Sequence, residues 1–238
     1  MIKKKILVTG GDGRFAKVLK IKNKNLDLYF ASKKDCNILN IKSISNIVKK
    51  VKPDIILHTA GLSRPMKIHE KDINKSISLN IIGTANLVQV CNIFNIKIIY
   101  FSSNYVYEGK KGNYKETDAV KPFNNYGLSK LGAECSVAMY KNSLILRICM
   151  TEKPFIHKKA FNDVETNFTY HHEVAKNLLK LIDHKGIINV GGPKKIIYNF
   201  AKKSNKNVIP MSSKKIIGKQ FPKKQTMNIS KFLKIIKK

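Results

Sequence analysis

The amino-acid sequence predicts an α/β protein, a doubly wound parallel sheet with a small irregular lobe toward the carboxyl end. Three observations carry that expectation. Short apolar runs alternate with stretches of helical period along most of the chain, the pattern of a parallel sheet covered by helices on both faces. A glycine-rich turn, Thr9-Gly10-Gly11-Asp12-Gly13-Arg14-Phe15-Ala16, follows the first apolar run directly and leads into a helix-like stretch. Pro154, Pro193, Pro210 and Pro222 interrupt the later segments 150–170 and 191–228. A length of 238 residues suits one full-sized domain with a small appended lobe.

In chain order, the apolar runs predict strands at 6–9, 28–31, 55–59, 97–102, 144–148 and 187–190. Helical period predicts helices at 14–21, at 43–51 stopping before Pro53, and at 74–94, 126–140 and 172–183. Residues 104–125, rich in Gly, Asn, Tyr and Lys, read as a long loop, and loops of that length in a compact domain are usually functional. The expected layout is a sheet domain over 1–149, rejoined by 171–190, with 150–170 and 191–238 forming the lobe. Ligands of such sheets sit outside the carboxyl ends of the strands, where the lobe would close over them.

Composition narrows the class. Apolar residues make up 43% of the chain without an uninterrupted stretch near the ~18–20 residues that cross a bilayer, and the first residues read as a strand. A cytoplasmic protein with no membrane partner is expected. Cys36, Cys91, Cys135 and Cys149 lie far apart with no metal spacing, so free thiols and no metal are expected. The net charge of +31 raises nucleic acid as a partner. Against that, only Arg14, Arg64 and Arg147 are arginine among 46 cations, whereas nucleic-acid readers lean on arginine forks and stacking aromatics. The charge reads as a general lysine bias. After Asp183 no acidic residue follows, a basic tail suited to attracting an anionic substrate.

The glycine turn carries the first chemistry. Gly10 and Gly13 let backbone approach a pyrophosphate, and the helix that follows offers amide donors and a partial positive charge. With the strand before it, this makes the sheet domain a Rossmann-type nucleotide binder. Beyond the second strand, Ala31-Ser32-Lys33-Lys34 offers no carboxylate for a ribose hydroxyl but two lysines for a 2′-phosphate, which favours NADPH and leaves NADH open because Asp35 is close. The second chemistry is Tyr126-Gly127-Leu128-Ser129-Lys130. Residues at i and i+4 share a helix face, so Lys130 is expected to lower the phenol pKa of Tyr126 and make it a general acid. A hydroxyl from Phe101-Ser102-Ser103-Asn104-Tyr105, at the end of the fourth strand, can orient the same carbonyl. His171-His172-Glu173 lacks a further ligand for a metal and reads as a helix amino end. Arg64 could reach a phosphate or substrate group, and Arg147 is expected to satisfy backbone carbonyls.

Thr9 to Ala16, His58-Thr59-Ala60-Gly61, Ser102 to Tyr107, Tyr114 to Asp118 before Pro122, and Tyr126 to Lys130 together resemble the extended short-chain dehydrogenase/reductases, with the dTDP-4-dehydrorhamnose reductases as the closest branch. The resemblance spans nearly the whole chain and is strongest over 1–150. It implies NAD(P)H and reduction of a 4-keto group on a nucleotide-linked 6-deoxy sugar. It also implies Ser103, Tyr126 and Lys130 as catalytic residues. Gly13, Arg14 and Phe15 would hold the pyrophosphate, Asn37 and Ile38 would line the adenine, and Ala60 and Gly61 would lie beneath the cofactor. Ser103, Asn104 and Arg64 would meet substrate, Asn104 standing where the branch carries aspartate. The lobe is shorter than in typical members, and the basic segment near the carboxyl end, Phe221-Pro222-Lys223-Lys224, lacks its arginine.

The expected function is NAD(P)H-dependent reduction of a nucleotide-activated 4-keto sugar. One alternative is an NAD-dependent epimerase or dehydratase of the same fold, although a dehydratase needs an acidic pair that Ser103-Asn104-Tyr105 does not supply. The other is a non-catalytic cofactor-binding regulatory subunit. The helices at 74–94 and 126–140 resemble the pair through which the family often forms homodimers.

Overall fold

The computed structural model describes residues 4–22, 26–215 and 221–237. Six parallel strands form its centre: β1 (Lys5–Thr9), β2 (Asp27–Ala31), β3 (Ile55–His58), β4 (Lys97–Ser103), β5 (Ser143–Ile148) and β6 (Gly186–Val190), in the spatial order β2-β1-β3-β4-β5-β6. As in the Rossmann order the strand sequence reverses at β1, here with one strand on its β2 side in place of two and four on the other in place of three. Side chains alternate along each strand, so one sheet makes two cores. Ile6, Val8, Leu57, Phe101 and Leu146 face one side, under α1 (Arg14–Lys22) and α5 (His171–Leu181). Leu7, Ile56, Tyr100 and Ile145 face the other, under α2 (Ile41–Val51), the helical run Ile73–Ile93 (α3) and α4 (Asn125–Ala138).

Two elements depart from the sequence expectation. α3 begins at Ile73 and carries a π-turn over Ile77–Ile82 between α-helical ends, in place of one continuous helix. Its 21 residues, at a mean hydropathy of 1.2, are long and apolar enough to cross a bilayer by length and composition alone. Leu87, Val90 and Cys91 are fully buried in the sheet core instead. Ser230–Lys237 (α6), assigned above to the irregular lobe, is a helix of the sheet domain. Phe232 joins the core that holds Ile188 and Leu178, and Lys231 Nζ donates to the Ile187 carbonyl at 2.7 Å.

The lobe has its own small core, with Phe155, Val164, Ile197 and Phe200 buried together, held by paired strands of only two or three residues each. Loop 104–125 joins the two parts. Tyr107 and Tyr114 stack at 4.8 Å between ring centres, and Tyr114 pairs with Met227. The loop is packed because its Gly109 (φ +77°) leaves room only for Pro222, whose Cβ would lie 2.6 Å from an added Cβ.

Candidate active site

The glycine turn is fixed from three sides. Gly10 has φ +69°, and a Cβ there would lie 2.8 Å from Ala60 Cα. Gly11, missed in the sequence reading, donates its amide to Ala31 at 2.8 Å, and a Cβ on it would meet the Phe30 carbonyl carbon at 2.9 Å. Gly13 closes the turn onto the Gly10 carbonyl at 2.8 Å. The turn is therefore a close backbone approach that no side chain can share. Gly10→Ala is expected to lose about 2 kcal/mol from its left-handed conformation alone, read as a melting temperature lower by roughly 5 °C.

From this turn a cavity of about 720 Å³ runs along the carboxyl ends of β1, β3, β4 and β5. Gly13, Arg14, Phe15, Ala60, Gly61, Arg64, Ser103, Asn104, Tyr126 and Lys130 all border it. Gly10, Asn37 and Ile38 lie outside its lining. Ile38 is buried against Gly83 of α3, its carbonyl taken by Asn86 at 3.0 Å, and Asn37 Oδ1 accepts from the Leu39 amide. Asp35 is turned back onto the Ser32 amide and hydroxyl at 2.9 and 2.6 Å, which holds its carboxyl below the usual range. Lys33 and Lys34 are exposed beside it.

Tyr126 occupies the first turn of α4. Asn124 caps that helix by accepting from Gly127 at 2.8 Å, and Asn125 is gripped by Glu70 at 2.8 Å and by the His69 carbonyl at 3.2 Å. Gly127 permits the approach, since a Cβ would sit 2.3 Å from the Tyr105 carbonyl oxygen. The Tyr126 ring lies between Tyr105 and His69, at 5.7 and 5.0 Å between ring centres. Its hydroxyl lies close enough to Ser103 for that side chain to act on its proton affinity.

The electrostatics correct one expectation. Burial pushes the Tyr126 phenol above its usual value, opposed by Ser103 and then by Arg64 and Arg14 rather than by Lys130. Lys130 is itself buried, with Nζ 4.3 Å from the centre of the Tyr100 ring, and desolvation lowers it to about 7 against the pull of Glu134. Spacing placed both groups on one wall, and burial weakened the charge that was to act between them. A folded-state pKa of about 7 against 10.5 means that the unfolded chain binds the extra proton between those values. The penalty of burying Lys130 is full below pH 7 and vanishes as pH rises toward 10.5. Lys130→Met is therefore expected to melt higher than the parent at pH 7, by on the order of a few kcal/mol, with the gap closing by pH 10. A lower melting temperature for the variant at pH 7 would overturn this.

Several site residues were not foreseen. Asn80, in the π-turn of α3, accepts from the Leu62 amide at 2.7 Å and donates to the Leu62 carbonyl and Ser129 Oγ, both at 2.9 Å. Ser129 Oγ in turn donates to the Tyr126 carbonyl at 2.8 Å, so the π-turn ties the loop after β3 to the tyrosine's helix, a frequent use of such turns. His58 also belongs to the site's surroundings. Buried at the end of β3, it is lowered to about 3 by desolvation and by Lys130. Thr84 gives its hydroxyl proton to the Asn80 carbonyl, so His58 Nε2 must donate to Thr84 and Nδ1 must accept from Thr9, each at 2.9 Å. Arg147 pairs chiefly with a carboxylate, and the one carbonyl it reaches among the described residues is that of Glu116, at 3.3 Å. Nε and Nη2 meet Glu134 at 3.1 and 2.8 Å, with Tyr107 Oη at 2.8 Å from Nη1. His171 borders the cavity edge-on to Phe15 and is lowered to about 4 by burial.

Ser102 Oγ, Asn104 Nδ2 and His171 Nδ1 are buried along the cavity and, among the described residues, have no hydrogen-bond partner. Buried polar atoms left unpaired call for a partner such as a water, an ion or a ligand. The profile of the family described as RmlD substrate binding domain matches residues 4–153. The chain belongs to this family, a branch of the extended short-chain dehydrogenase/reductases. Its RmlD relatives include the dTDP-4-dehydrorhamnose reductase of Aggregatibacter actinomycetemcomitans, 27% identical over 79% of this chain and 62% of that protein. Methionine adenosyltransferase 2 subunit beta of Danio rerio is 28% identical over 61% of this chain and 47% of its own length. The chain thus spans about three-fifths or less of the curated relatives it matches. In fold it is similar to the dTDP-4-dehydrorhamnose reductase of Bacillus anthracis in complex with NADP, with a TM-score of 0.84 at 23% identity, over 98% of this chain and 92% of that one.

Proposed function

We propose that this protein is an NADPH-dependent reductase of a nucleotide-activated 4-keto-6-deoxy sugar, similar to the dTDP-4-dehydrorhamnose reductases. The observation that carries the reading is that Ser103, Tyr126 and Lys130 border the same cavity as the glycine turn, with Ser103 acting on the Tyr126 hydroxyl. The unpaired Ser102, Asn104 and His171 atoms and the glycine cradle fit a polar dinucleotide beside a sugar. When bound, NADPH supplies the hydride. The chain supplies the rest. Ser103 orients a carbonyl oxygen, and Tyr126, kept protonated by burial, gives its proton to that oxygen as charge develops there. Lys33 and Lys34, with Asp35 engaged by Ser32, favour the phosphorylated cofactor. Ile77, Ile82 and Leu128 are exposed on α3 and α4, which supports a homodimer through those helices.

A second reading is a cofactor-binding subunit without catalysis, favoured by the likeness to a protein named as a subunit of methionine adenosyltransferase. NADPH oxidation measured against dTDP-, UDP- and GDP-linked 4-keto sugars separates the two. Turnover with one of them is expected, and NADPH binding with no turnover across the panel would favour the subunit.

A further inference from the structure

Two arginines reach the cavity from different loops and meet on one carboxylate. Arg14 comes from the glycine turn and Arg64 from the loop after β3, and Glu152 follows the short strand Met150–Thr151 at the start of the lobe. Arg64 Nη1 lies 3.0 and 3.1 Å from the two Glu152 oxygens, Arg14 Nη1 lies 3.2 Å from Oε1, and the Thr151 hydroxyl donates to Oε2 at 3.1 Å. Arg14 Nη2 also donates to Ser63 Oγ at 3.0 Å. The Glu152 side chain is 16% exposed. Burial pushes its carboxyl up, but its own backbone amide, Arg64 and Arg14 outweigh that and hold it charged. His171, with its unpaired buried Nδ1, borders the same cavity, where burial lowers its pKa, Glu152 raises it and Arg14 and Arg64 lower it.

The arrangement has the form of an oxyanion site whose occupant is part of the chain. Two guanidinium groups converging on one carboxylate offer a phosphate the same planar donors. The unpaired His171 and the glycine turn mark the surrounding space as built for a polar guest. We propose that Arg14 and Arg64 form one oxyanion subsite for a diphosphate, and that Glu152 is its exchangeable internal occupant, which the ligand must displace to bind. This rests on the cavity being the cofactor and substrate site. It adds that the lobe competes with the ligand for the arginines, so that Glu152 sets how tightly a diphosphate is held. The diphosphate could belong to the dinucleotide or to the sugar nucleotide, and the chemistry of recognition is shared.

The test compares parent and Glu152→Gln full-length protein by titration calorimetry, with NADPH and with dTDP separately. Glutamine keeps the shape and removes the charge. Tightening is expected for one of the two ligands by about tenfold, the factor by which an open state populated one part in ten weakens an apparent Kd. Tightening for NADPH assigns the subsite to the dinucleotide, and tightening for dTDP assigns it to the sugar nucleotide. Unchanged or weaker binding of both would overturn the proposal, leaving Glu152 as a plain clasp between lobe and sheet domain. If the parent binds neither ligand, the proposed function fails. The subsite is then judged with inorganic pyrophosphate, where tightening in Glu152→Gln still supports it and no change rejects it. Should Glu152→Gln fail to fold, Glu152→Asp, which keeps the charge but shortens the reach, is expected to tighten binding by a smaller factor, and unaltered affinity there rejects the proposal.

Discussion

Tyr126→Phe is expected to lower turnover by about 10²–10⁴-fold, the usual share of a general acid, while leaving NADPH affinity close to that of the parent. The prediction separates two functions of the residue. The ring holds its place between Tyr105 and His69, and phenylalanine preserves that packing. Only the hydroxyl, on which Ser103 acts, is lost. Single-turnover oxidation of NADPH, combined with cofactor titration, reads both quantities. Undiminished turnover would remove Tyr126 from the chemistry.

The largest effect on stability is expected at Glu134. It receives two nitrogens of Arg147, and both side chains are 5% exposed. Glu134→Ala would leave a buried guanidinium without its countercharge, a loss of about 3–5 kcal/mol and a melting temperature lower by roughly 10 °C. The double variant Glu134→Leu/Arg147→Met removes both charges together, and its melting temperature is expected to return most of the way. A double variant no better than Glu134→Ala would show that Arg147 acts mainly through Tyr107 and the Glu116 carbonyl.

Local pattern made most of the nucleotide-binding half legible. The strand that ends at Thr9, the turn at Gly10 and Gly13, and the helix at Arg14 are neighbours in sequence, and Tyr126 and Lys130 share a helix face. What sequence hid depends on partners far apart along the chain. The helix from Ser230 looked irregular because its reason for being helical is Phe232 joining the core of the sheet domain. Glu152 meets Arg14 and Arg64 only after the lobe has folded back. The pKa of Lys130 depends on its burial, which i, i+4 spacing does not encode. One signal was present but unread. In a chain with 46 cations, the three that are arginine all meet glutamates, Glu152 or Glu134. Where lysine is the default, an arginine marks a place that needs a planar fork.

The helix at Ser230–Lys237 has a bearing on how the protein is made. The surface it covers, on β6 and α5, is complete in sequence by residue 190, and the whole of 191–228 must follow before the cover arrives. A nascent chain can assemble β1 to β5 from its own sequence neighbours, yet it waits with one flank of the sheet apolar and open. That flank is the part of the fold most exposed to wrong association during synthesis.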